Sequence, residues 1–171
     1  QLAGEGYQYQ SDLELDFADT ELKLPNPLAK AVGQPGSVFV STQGNQDSSV
    51  IALNYQDLLF FDANYQHQQN QVSQAQLSLG ERMEPGSAPP GFTINANLEQ
   101  TDFVPWLGLI QHQITASAAK EDSPMPPLSK VSAKVARLNL ADELQLDNLQ
   151  LEMVPADQHW QLKLQSDQAK G

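Results

Sequence analysis

Apolar and polar residues alternate one by one along most of this chain. Leu13, Leu15 and Phe17 interleave with Asp12, Glu14 and Asp16. Leu22 and Leu24 follow, then Val38 and Val40, then Leu77 and Leu79. Later come Phe92, Ile94, Ala96 and Leu98, and finally Trp160, Leu162 and Leu164. A strand turns successive side chains to opposite faces, so these runs predict strands with one apolar and one wet face. Gly and Pro clusters separate the runs, as turns require. Roughly nine or ten strands are expected, mostly antiparallel, because the connections leave no room for crossover helices.

Two segments break the alternation with helical signals. In Asn26 to Val32, Asn26 is a fair N-cap, Pro27 suits the first helical position and Gly33 suits the stop. In Asp102 to Gln111, Asp102 can cap, and Phe103, Trp106, Leu107 and Ile110 fall on one helical face. Glu81 to Gly91 and Thr115 to Ser129 read as Pro-rich loops. The second divides a single segment, 1–171, into possible sub-blocks 1–114 and 130–171 joined by 115–129. Near Asp147 and Asn148 the alternation slips by one residue, which a β-bulge or a tight turn would explain.

Charge removes whole classes of function. The chain carries 21 acidic and 9 basic residues, a net charge of -12, and has no Lys/Arg cluster to neutralise phosphates, so nucleic acid is excluded as a partner. With no cysteine there is no thiolate nucleophile and no Cys-ligated metal. No apolar stretch approaches the ~20 residues of a spanning helix, so membrane contact would come only through parts beyond this segment. The chain opens at Gln1 without a leader and closes at Gly171 after a strand-like run, so both ends read as boundaries inside a longer polypeptide.

Candidate chemistry is sparse. His67, His112 and His159 share no ligand spacing, and ordinary surface or half-buried histidines account for them. Asp12, Glu14 and Asp16 could hold calcium or form a glycosidase pair, yet the solvated face of an amphipathic strand explains them with nothing added. Trp106 and Trp160 could stack on sugars or anchor a core. No nucleophile elbow, P-loop or dinucleotide fingerprint occurs, so no catalytic residue, metal or cofactor is expected. What remains is the apolar face itself, which must be covered by a second layer or left as a lined trough.

The order of segments carries a resemblance. Leu24-Pro25-Asn26-Pro27-Leu28-Ala29-Lys30 is followed by Gln76-Leu77-Ser78-Leu79-Gly80. Next come Gly91 to Leu98 with Asp102-Phe103-Val104-Pro105-Trp106, and last Leu144 to Met153 with Trp160-Gln161-Leu162-Lys163-Leu164 and Gly171. In this order they resemble a stretch of the AsmA-like proteins of Gram-negative envelopes, most closely the YhdP branch. The resemblance implies a curled antiparallel sheet forming an open apolar groove or half-barrel, with two short helices. It also implies a periplasmic protein anchored in the inner membrane by a helix elsewhere, its groove passing phospholipid acyl chains towards the outer membrane. Neighbouring segments of the same chain would be the other partners. The family brings no catalytic residues. Periodicity, not a family motif, nominates Leu13, Leu15, Val38, Val40, Leu77, Leu79, Ile94 and Leu98 as the groove lining. A β-sandwich module binding carbohydrate or protein, and a purely structural scaffold segment, are the alternatives from other classes.

Overall fold

The strands β1 (Gln8–Asp16), β2 (Ser37–Asn45), β3 (Ser48–Tyr55), β4 (Leu59–Gln66), β5 (Gln71–Leu79), β6 (Gly91–Asp102), β7 (Leu128–Ala141), β8 (Leu144–Ala156) and β9 (His159–Gln165) lie side by side in chain order as one sheet. The computed structural model describes residues 6–84, 89–108, 124–141, 144–156 and 159–168. The edge strands β1 and β9 form no ladder with each other, so the sheet is not a closed barrel. The strand-forming pattern of the sequence is thus realised. Six of the eight ladders are antiparallel, as the mostly antiparallel expectation had it, but two are parallel, and of the two expected helices only the second forms, in shortened form.

The sheet is mixed. β5 and β6 pair in parallel, as do β6 and β7, while the other ladders are antiparallel. A parallel return needs reach rather than a helix. From Leu79 to the start of β6 the chain goes back about five strand residues, ~17 Å at strand rise, which the residues of 80–90 cover easily even when not fully extended. Gly80 makes the turn possible. Its φ is 82°, and a Cβ there would lie 1.9 Å from the Asn97 carbonyl oxygen, so no other residue fits. The Pro85-Gly86 part of this loop and residues 115–123 of the second lie outside the described residues. Pro124 to Pro127 are described, and Leu128 and Ser129 already belong to β7.

The expected helix at Asn26–Val32 is a turn. Lys30 and Leu22 exchange backbone hydrogen bonds (Leu22 N to Lys30 O 2.8 Å, Lys30 N to Leu22 O 3.1 Å), and the Leu28 amide donates to Pro25 O at 2.9 Å. Backbone groups committed across a turn cannot form an i to i−4 ladder. The Asn26–Pro27 peptide is cis. The fold of 17–36 is instead built around two inward side chains. Leu28 is buried, and the Lys30 ammonium is held by the carbonyls of Ala18, Thr20 and Ala31 at 3.1, 2.8 and 3.3 Å.

The second helical signal yields a short helix over 103–108; residues 109–111, including Ile110, lie outside the described residues. Only Trp106 packs inward. Its Nε1–H donates to Thr101 Oγ1 (2.7 Å), and Thr101 in turn donates to Asn26 O (2.7 Å), tying helix, β6 and the 17–36 loop together. Phe103 and Leu107 are exposed. The core cluster sits here, with Leu28 over Tyr55, Leu79, Leu98, Val135, Leu138 and Leu149.

At Asn148 there is neither a turn nor a change of register. β8 runs straight through, and Val135–Leu149 and Arg137–Asp147 keep the same offset on either side. Asn148 adopts φ 52°, a left-handed conformation that asparagine tolerates well. Its neighbours slip at the same level. Leu98 and Thr101 on β6, and Val135 and Leu138 on β7, are buried three residues apart rather than two. Three strands that slip together keep their ladder. The irregularity of this pair lies further on, between Asn139 and Ala141.

Two sets of melts test this packing. Leu28→Ala should cost about 2–4 kcal/mol and lower the melting temperature by roughly 5–15 °C, while exposed Val32→Ala should stay within about 0.5 kcal/mol. Equal melting of the two would mean that the 17–36 loop does not cap the core. Asn148→Gly should be tolerated, whereas Asn148→Val should lose about 1–2 kcal/mol through its positive φ.

Candidate functional site

Register converts the alternating runs into rows. Along the ladders, Leu13, Val40, Leu53, Phe61, Leu77, Ile94, Val131, Met153 and Leu162 are successive partners, one from each strand. All nine are large and apolar, and none is buried; Leu13 at one edge is 51% exposed and Leu162 at the other 55%. Eight spacings of ~4.8 Å make this row about 38 Å long. Beside it runs a second, Leu15, Val38, Tyr55, Leu59, Leu79, Ala96, Ala133, Leu151 and Leu164.

The residues nominated from periodicity fall into three places. Leu13, Val40, Leu77 and Ile94 lie in the first row, and Leu15, Val38 and Leu79 in the second. Leu98 lies deeper, paired with Val135. Leu79 and Leu98 are both 7% exposed and belong to the core under Leu28, so they are covered by the protein's own side chains. Leu53, Phe61, Val131, Met153 and Leu162 complete the first row. Their alternation was present in the sequence, but only register shows that they share a line.

The two margins of this face differ. On one side the 17–36 loop and Trp106 close over the flank of the second row. On the other, Tyr9, Gly44, Ser49 and Tyr65 are successive partners and turn the face polar. Tyr9 reaches across β2 to bond the Ser49 hydroxyl. Gly44 leaves the passage; a Cβ there would lie 2.9 Å from the Tyr9 hydroxyl and 2.5 Å from Ser48 O. Ser49 Oγ also bonds His67 Nε2 (2.5 Å), and His67 Nδ1 faces Gln46 O (3.1 Å). A carbonyl only accepts, so Nδ1–H donates to it. In the neutral ring Nε2 then accepts from Ser49, whose oxygen accepts from Tyr9. The order nucleophile, base, orienting acceptor was not legible in the sequence. Ser49 is 5% exposed and the Tyr9 hydroxyl occupies its oxygen, so an incoming carbonyl has no approach to it. What the chain does is clamp the edge strand.

The opposite face is polar and, at its centre, covered. Asp62, Gln76, Ser78 and Thr93 are buried there, with Phe60 beside them. The strap after β5 holds this region: Arg82 Nη2 pairs with Asp62 Oδ1 at 2.5 Å and stands 5.8 Å from the Phe60 ring centroid. Asp12, Glu14 and Asp16 lie on this face at the edge, exposed. Asp12 accepts from Gln10 and Asp16 from the Ala18 amide. Among the described residues no group of three or more His, Cys, Asp or Glu could hold a metal. His159 is on edge strand β9, and His112 lies outside the described residues. Trp160 is 43% exposed on β9, while Tyr7 and Tyr9 are at the β1 edge and the Trp106 indole turns inward, so the aromatics form no common platform.

A model of the YhdP protein family matches residues 1–171, the entire chain. The chain belongs to that family. No curated protein matches it, and no solved structure does. Membership makes it a segment of an envelope protein related to lipid transport, in a family that is not enzymatic. No helix among the described residues is long and apolar enough to cross a membrane.

Two measurements test the site as built. Tyr9→Phe should lose about 1 kcal/mol and speed amide hydrogen exchange along β1, and Gly44→Val, which displaces Tyr9 and crowds Ser48, should do so more strongly. Leu79→Asp should cost several kcal/mol as a buried unpaired carboxylate, whereas Leu13→Asp, half in water, should melt within a few degrees of the parent.

Proposed function

We propose that the chain is a non-catalytic length of a phospholipid conduit, in which acyl chains move along the two apolar rows as the floor of an open groove. The observation that carries this reading is the first row: nine strands, nine large apolar side chains, none of them buried and the two at the edges more than half exposed. Monomeric soluble proteins rarely expose contiguous apolar surface on this scale unless something else binds it. An acyl chain suits a surface that is long, apolar and without directional polar contacts. Burial contributes about 0.8 kcal/mol per methylene, so partial cover holds a chain firmly while leaving it free to slide. The width between the Leu28 cap and the polar margin, six residues from Tyr55 to Ser49, is ~20 Å at strand rise, enough for the ~15 Å acyl depth of one leaflet.

In this reading the groove belongs to a periplasmic protein anchored in the inner membrane by a part beyond this segment. The edge strands favour continuation: Leu13 and Leu162 carry the row to the outermost strand on each side, where neighbouring segments of the same polypeptide would extend it. The acidic surface, net charge -12, disfavours anionic membranes as a resting place for the walls.

The test pairs thermal melting with photo-crosslinking to an acyl-labelled phospholipid in the intact protein. Leu77→Asp and, at the more exposed edge, Leu13→Asp should each cut crosslinking by an order of magnitude. The melting temperature of Leu13→Asp should move by only a few degrees. Undiminished crosslinking in a folded variant would contradict the groove.

A further inference from the structure

The two margins of the apolar face are chemically unlike, and an amphiphile must meet them differently. Along one margin Leu22, Leu24, Leu28 and Trp106 pack beside the second row, on the cluster that includes its Tyr55 and Leu79, as an apolar cap. Along the other the face ends in hydroxyls, an imidazole and an amide. Tyr9, Ser49 and His67 are linked to one another, and the Tyr65 hydroxyl donates to Asn70 Oδ1 at 2.5 Å. The Tyr65 ring stands 5.7 Å from that of His67, closing the strip. A polar headgroup cannot rest against the cap without losing water, but it can lie against the strip.

We propose that this Tyr9–Ser49–Tyr65–His67 margin is where the headgroup of a net-neutral phospholipid faces water while its chains occupy the rows, an inference that rests on the acyl path proposed above. The charge pattern sets the headgroup class. No Lys or Arg occurs from Ala31 to Glu81 or in β1, so the strands behind this margin offer no counter-charge to a phosphate. The fixed charge bonded into this margin is acidic, Asp47, whose carbonyl accepts the His67 amide and whose carboxylate accepts from Gln68. A zwitterionic headgroup brings its own cation to Asp47. An anionic one brings only repulsion. The polar groups of the margin largely satisfy one another, so they wet the headgroup without gripping it, as sliding requires.

Three diazirine phospholipids distinguish the outcomes when irradiated with the intact protein and mapped by peptide mass spectrometry. They are a zwitterionic lipid labelled in the headgroup, the same lipid labelled in mid-chain, and an anionic lipid labelled in the headgroup. The mid-chain probe should label the Leu53, Phe61 and Leu77 row, and the zwitterionic headgroup probe the 44–49 and 65–70 turns. The anionic probe should label those turns about fivefold less, the scale of one charge contact in water. Headgroup labelling at 17–36, with mid-chain labelling still on the row, would overturn the margin and leave the acyl path standing. Equal labelling by the anionic probe would overturn the charge preference. Mid-chain labelling absent from the row would overturn the path, and the margin with it.

Discussion

Everything on the apolar face depends on strand register. Side chains alternate with a period of two, so a one-residue slip in any single ladder would throw that strand's apolar set onto the polar face and cut the row there. The ladders do contain irregularities, at Asn64/Tyr65, Phe92/Thr93 and Asn139/Ala141. All of them lie beyond the two rows, towards strand ends. Where the alternation must slip nearer the middle, at Asn148, three strands slip together and no register is lost. The two parallel ladders obey the same constraint: Leu77 with Ile94 and Ile94 with Val131 carry the row through both changes of strand direction.

The consequence is a sheet with buried residues on both faces, an apolar cluster on one and a polar one on the other. In an ordinary one-layer sheet the apolar face is covered and the polar face is wet. Here the centre of the polar face is covered as well, beneath a strap latched by Arg82 on Asp62 and Phe60. Among the described residues, the apolar face is capped along one margin. Buried polar groups and exposed apolar patches are the informative departures from the usual partition. Among the described residues, the start of the strap covers the polar side at Asp62 and Ser78 while the first row on the other side stays partly exposed.

The sequence made the strands and their facing legible because alternation is a local signal. It could not show which strands are neighbours, and so could not distinguish Leu77, partly exposed in the first row, from Leu79, two residues on and buried in the cluster with Leu28. The parallel pairs were hidden for a related reason: a Pro- and Gly-rich connection over 80–90 carries no periodic mark in the sequence. Asn26–Val32 has good capping residues at both ends, but tertiary packing of Leu28 and Lys30 and the backbone pairing of Lys30 with Leu22 outweigh a few tenths of a kcal/mol of local preference. The Tyr9–Ser49–His67 clamp joins residues from two strands and a turn across a glycine, and no spacing in the chain announces it.

The central claim is that the uncovered row is a lipid surface. Native mass spectrometry of the intact protein, purified from its own membranes in a mild detergent, tests it most directly. The account predicts mass adducts of phospholipid that persist after detergent removal and are strongly reduced in Leu13→Asp at unchanged melting temperature. A lipid-free mass for the folded parent protein, or adducts of equal abundance in the folded variant, would contradict it.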